Sequence, residues 1–63
     1  MDNLKQLRKN NKFRQEELAR TLNISLRAYQ LKEKGESELK LSELIKLADK
    51  FNMNLTDFKN RID

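Results

Sequence analysis

The sequence predicts an all-α fold of five short helices, and three observations carry that expectation. Apolar residues recur at helical spacing in five separate segments, and none of these alternates apolar with polar in the manner of a strand. Residues suited to starting or stopping helices, namely Asn10, Asn11, Asn23, Ser25, Gly35, Asn52 and Asn54, fall at the boundaries. At 63 residues the chain has material for one small core, burying about 60% of the surface its unfolded form exposes. Residues 1–63 are therefore expected to be a single domain, organised around a central stretch at about 15–35.

The first helix is expected over 3–10, where Leu4 and Leu7 stand one turn apart among charged and amide residues. Asn10-Asn11-Lys12 stops it, because asparagine tolerates left-handed backbone, and Phe13 anchors the following loop. A second helix over 15–22 turns Leu18, Ala19 and Leu22 inward and Glu16, Glu17 and Arg20 to water. Arg14 is a poor N-cap for it, since a cap wants a short acceptor side chain. Asn23 then supplies a positive φ, and Ile24 turns back to the core.

Ser25 is a good N-cap for a third helix over 26–34, ended by Gly35, the only glycine, which takes a left-handed cap without a Cβ penalty. Ala28 and Tyr29 look inward, leaving Leu26, Arg27, Gln30, Leu31 and Lys34 on the outer side. After a polar connection over 36–40, Leu41, Leu44, Ile45, Leu47, Ala48 and Phe51 give the strongest helical pattern, predicting a fourth helix over 42–51 that Asn52 terminates. Asn54 caps a fifth, with Asp57 favourably near its N-terminus and Leu55, Phe58 and Ile62 on its apolar side. Met53, Phe58 and Ile62 either finish the core, the simpler reading, or form a self-association surface.

Composition narrows the function. The absence of cysteine and histidine removes thiol and imidazole chemistry and the usual zinc ligands, so no metal site and no cofactor are expected and an enzyme is disfavoured. No apolar run is long enough to span a bilayer and no signal peptide is visible, which points to the cytoplasm. The net charge of +4 is uneven: residues 1–15 carry a balance of +4, residues 16–35 add +1, and residues 36–63 contribute −1. A positive field on one half suits a polyanionic partner.

The order Leu4-x-x-Leu7-Arg8, Gln15-Glu16-Glu17-Leu18-Ala19, Leu22-Asn23-Ile24-Ser25 and Glu33-x-Gly35, continued by Leu44-Ile45-Lys46-Leu47-Ala48 and Asn54-Leu55-x-x-Phe58, spans nearly the whole chain. It resembles the helix-turn-helix domain of phage repressors and Cro proteins, the XRE-like family. The resemblance implies a compact, five-helix, lambda-repressor-like domain that binds double-stranded operator DNA as a homodimer and occludes a promoter. Its third helix would lie in the major groove, and the start of its second helix would meet the phosphate backbone. Gln15 then matches a phosphate contact. Arg27 and Gln30 become the candidates for base edges, because guanidinium and amide groups pair bidentately with guanine and adenine. Leu26 and Leu31 would touch thymine methyls, and Lys12, Arg14 and Lys34 would hold phosphates.

Three departures from the family pattern motivate a second reading. Lys32 stands where relatives carry an aromatic or aliphatic residue, which deprives the contact between the third and fourth helices of a plug. Glu36-Ser37-Glu38 places carboxylates in a loop that lies near phosphates in relatives. Leu26 and Leu31 make the outer face of the third helix less polar than a DNA reader requires. The alternative is thus a modulator that binds another repressor through Leu26, Tyr29, Gln30 and Leu31. An antitoxin that represses its own operon shares the same fold.

Overall fold

The computed structural model describes residues 2–63, with side chains from Asn3 onward. Among these residues run five α-helices and no strand: α1 (Asp2–Asn10), α2 (Gln15–Leu22), α3 (Leu26–Lys34), α4 (Leu41–Lys50) and α5 (Leu55–Ile62). No helix among them is long and apolar enough to cross a membrane. The all-α, five-helix arrangement is the one the sequence predicts, and α2 and α3 have the predicted limits. The shifts are at α1, which begins one residue early, and at α4, which starts and stops one residue early.

Caps explain these limits. Although Arg14 offers no acceptor, its backbone N–H donates to Glu17 Oε1 at 3.0 Å, so the carboxylate three residues on supplies the cap from inside α2. The same device fixes the start of α4, where the Lys40 N–H donates to Glu43 Oε1 at 2.8 Å. Ser25 and Asn54 cap conventionally, accepting from the N–H of Ala28 at 3.1 Å and of Asp57 at 2.8 Å. At the helix ends Asn23 (φ 57°), Asn52 (φ 58°) and Gly35 (φ 85°) are left-handed as expected. After α1 the left-handed residue is Lys12 (φ 60°), not Asn10 or Asn11. Asn11 works through its side chain instead, donating Nδ2 to the Leu7 carbonyl at 2.8 Å, while the Phe13 N–H closes on Arg8 O at 3.1 Å.

α2 packs on α3 and α4, α1 packs on α5 and α3, and α4 packs on α5. Leu4, Leu18, Tyr29, Leu47 and Phe58 are fully buried at the centre, and Phe13, Ile24, Leu39, Leu44 and Met53 close the periphery. Phe51 joins Phe13 edge-on at 5.2 Å and Phe58 at 5.5 Å between ring centroids. Such aromatic pairs add about 0.5–1.5 kcal/mol each beyond the area they bury.

The apolar surface follows the simpler expectation on α5 and departs from it on α4. Phe58 and Ile62 are buried and finish the core, the simpler of their two readings, and Met53 packs half-buried against that core. Conversely Leu41 and Ile45 are 62% and 51% exposed, although they belong to the strongest apolar pattern in the chain. The stripe on α4 is wider than the core it faces: Leu47, Ala48 and Phe51 fill the inward arc, and Leu41 and Ile45 fall outside it.

Candidate nucleic-acid interface

Only three residues, Asn23 to Ser25, separate α2 from α3, so the end of one helix fixes the start of the next. The Ile24 N–H reaches back to Ala19 O at 3.0 Å, and Ala19, nearly fully buried, lets α2 and α3 approach closely. Tyr29 is clamped between the elements with no exposed surface, which removes it from any protein-binding face of α3. Its inward position in the third helix was expected, and the proposed contact fails on burial.

Beneath the outer surface lies a polar bracket that a charge count treats as solvated. Arg8 and Glu33 are both buried. Arg8 Nε meets Glu33 Oε2 at 2.9 Å, Nη2 meets Oε1 at 3.1 Å, and Nη1 donates to Phe13 O at 3.0 Å. The bidentate fork ties α1 to the last turn of α3. Burial pulls the Glu33 carboxyl upward, but the hydrogen bonds and charge of Arg8 outweigh it and hold the group below the ordinary carboxylate value. Beside them the Tyr29 hydroxyl is pushed far above its usual value, by burial first and then by the Glu33 carboxylate.

The bracket extends to the surface through two glutamines. Gln15 Nε2 donates to Glu33 Oε1 at 3.3 Å, and Gln15 Oε1 accepts from Gln30 Nε2 at 3.2 Å. Gln15, the first residue of α2, and Gln30, on the outer side of α3, therefore hold one another, and both are half-buried. One amide hydrogen that adenine pairing would draw on is engaged within the protein. Above this pair opens a cleft of about 270 Å³, lined by Lys5, Gln15, Gln30, Glu33 and Lys34. With the Glu33 charge matched by Arg8, Lys5 and Lys34 give the cleft a positive mouth beside the N-terminus of α2.

The remaining candidates divide by exposure. Arg27 and Lys34 are exposed and share one side of α3 with Gln30 at spacings of three and four residues. Leu26 is 38% exposed at the start of the helix, and Leu31 is half-buried. Lys12 and Arg14 are exposed in the turn before α2. Lys5, Arg8 and Glu33 lie outside the candidates that the sequence offers. The pairing of Leu7-Arg8 with Glu33-x-Gly35 as fixed motif pieces was the one signal of the bracket, and nothing in the sequence singled out Lys5 from neighbouring lysines.

The two other departures also have a structural outcome. Lys32 does not leave the α3–α4 contact unplugged: it is buried, with Nζ 3.1 Å from Glu43 Oε1 and 2.9 Å from the Glu38 carbonyl it donates to. Burial raises the Glu43 carboxyl, but the Lys40 backbone N–H and the Lys32 ammonium bring it below its ordinary value. Glu36 and the Glu38 side chain remain exposed in the loop.

Comparison with known protein families matches residues 4–58 to the helix-turn-helix family to which the XRE-type regulators belong. The chain belongs to the XRE-type helix-turn-helix family. Searches of curated proteins and of solved structures return no significant match. As an XRE-type helix-turn-helix protein it is a DNA-binding transcription regulator, in a family of regulators and not of enzymes.

Proposed function

We propose that this regulator acts by seating α3 in the major groove of an operator and thereby excluding other proteins from a promoter, in the manner of the phage repressors it resembles. The observation that carries this reading is the continuity of one surface. Arg27, Gln30 and Lys34 follow one another along the outer side of α3, and the last two open into the cleft that also holds Gln15 and Lys5. A base-reading guanidinium and a phosphate-sized positive mouth are thus presented together. Arg27 is the base reader, with Leu26 and Leu31 beside it for thymine methyls. Gln30 chiefly positions Gln15, while Lys5, Lys12, Arg14 and Lys34 hold phosphates. Two copies would bind two half-sites, because one small helix supplies few base contacts.

The alternative, capture of another repressor by the α3 face, is the weaker reading. With Tyr29 enclosed and Leu31 half-buried, the exposed apolar area there reduces mainly to Leu26. A protein hot spot wants a larger central anchor than that.

Selection of duplexes from a randomised pool tests the proposal. Arg27→Ala is expected to relax preference at one base position and to weaken the selected site by about 1–3 kcal/mol. Recovery of no preferred sequence, together with no saturable binding at about 50 mM salt, would refute it.

A further inference from the structure

Two features at odds with a DNA-binding surface, a buried lysine on α3 and the acidic loop after it, are joined in the structure. Lys32 Nζ donates to the Glu38 carbonyl at 2.9 Å and lies 3.1 Å from Glu43 Oε1, and the same Oε1 accepts the Lys40 N–H at 2.8 Å. One buried ammonium therefore ties together the middle of the loop, its far end and the start of α4. The near end is closed separately, by the Glu36 N–H on Leu31 O at 2.9 Å around left-handed Gly35.

The side of α3 on which this happens decides its effect. Lys32 lies two residues from both Gln30 and Lys34, so it projects from the opposite side of the helix to the one they share. Ser37, Glu38 and Leu39 accordingly line a groove with Leu44 and Ile62, and no residue of the loop lines the cleft of Gln15, Gln30 and Lys34. Both carboxylates are exposed, and neither pairs with Lys34: the ion pairs among the described residues are Arg8–Glu33 and Lys32–Glu43. Without a donor at position 32 the Glu38 carbonyl turns to water for its hydrogen bond. The loop carboxylates, two and four residues beyond Lys34, then come within reach of its ammonium.

We propose that Lys32 is a positioning residue for DNA binding: it latches the acidic loop behind α3 and so keeps Glu36 and Glu38 from competing with phosphate for Lys34. The two departures from the family pattern thus compensate each other. This inference rests on the phosphate-binding reading of the cleft given above, and it adds the residue that keeps the cleft free. An exposed carboxylate–lysine pair is worth up to about a factor of five in an equilibrium, which sets the scale of the competition.

The latch is removed at constant net charge by Lys32→Met with Glu43→Gln, in which the glutamine keeps an acceptor for the Lys40 N–H. Nuclear magnetic relaxation of the backbone amides of residues 36–40, without DNA, is expected to show a loop as ordered as the helices in the wild type and a mobile one in the variant, with unchanged helical content. Affinity for a selected duplex at about 50 mM salt is expected to fall about three- to fivefold in the variant, and the loss to shrink toward about 200 mM. Adding Glu36→Gln and Glu38→Gln is expected to restore it, beyond whatever that pair gains in the latched background. A merely structural Lys32 would show no such rescue. Equal loop order in the two proteins, unchanged affinity, or a loss that the loop substitutions leave in place would overturn the proposal. A wild type that binds no duplex while the two loops differ in order counts against the DNA reading alone.

Discussion

Replacing Glu33 by alanine removes the counter-charge of a guanidinium enclosed between α1 and α3. The side chains of Arg8 and Glu33 are 9% and 4% exposed and joined at 2.9 Å, so water cannot take over the lost contacts without opening the core. Breaking a buried pair by removing one partner costs about 3–5 kcal/mol, whereas replacing both by apolar residues is often neutral. A chain of 63 residues has on the order of 3–9 kcal/mol of total stability. Glu33→Ala is therefore expected to remove most of it, and Arg8→Met with Glu33→Leu to recover much of the loss. Recovery stays incomplete, because the Phe13 carbonyl loses the donor that Arg8 Nη1 provides at 3.0 Å. Urea unfolding followed by circular dichroism reads both values. A Glu33→Ala loss under about 1 kcal/mol, the size of an ordinary hydrogen bond, would refute the claim that the bracket is a desolvated pair.

Other consequences follow from the same contacts. Glu33 and Glu43 both have carboxyl values depressed below 4.5, so each contributes stability that is complete above that pH and is lost as pH falls through the folded value. The thermal midpoint is expected to hold near neutrality and to fall progressively below about pH 4.5, and a midpoint that rises on acidification would contradict this. Gly35→Ala and Asn23→Ala are each expected to cost about 1–2 kcal/mol through left-handed strain, with Asn23→Gly close to neutral; equal losses for Asn23→Ala and Asn23→Gly would show that the backbone angle is not the cause. Lys32→Ala, which strips both Glu43 and the Glu38 carbonyl of a donor, is expected to cost about 1–3 kcal/mol of stability, read as a lower urea midpoint at unchanged slope.

The helices were legible because each carries a helical apolar period and a chemically suitable boundary. Ser25, Asn54 and Gly35 mark their ends by residue type alone. Less visible were the ends set by partners: nothing about Arg14 or Lys40 suggests a cap, and the cap comes from carboxylates one turn later. Arg8, Lys32, Glu33 and Glu43 were unreadable as interior for a related reason, because a charge is buried only when its partner arrives from elsewhere, and Arg8 lies 25 residues from Glu33. The width of the α4 stripe posed the opposite problem. Periodicity places Leu41 and Ile45 near the apolar side but cannot tell how far the neighbouring helices reach. At the interface, side-chain type identified Arg27 and Lys34 as candidates, while the Gln15–Gln30 pairing and the position of Lys5 required the packing of three helices.

In the proposed function the cleft beside α2 receives phosphate while Arg27 reads bases. The most direct test measures affinity for a selected duplex against salt between about 50 and 200 mM, in the wild type and in Lys5→Ala, Lys34→Ala and Arg27→Ala. A steep fall with salt is expected, with a slope shallower by about one for each lysine removed and a sequence-dependent loss for Arg27→Ala of about 1–3 kcal/mol. Slopes unchanged by both lysine substitutions, with Arg27→Ala weakening all sequences equally, would contradict it.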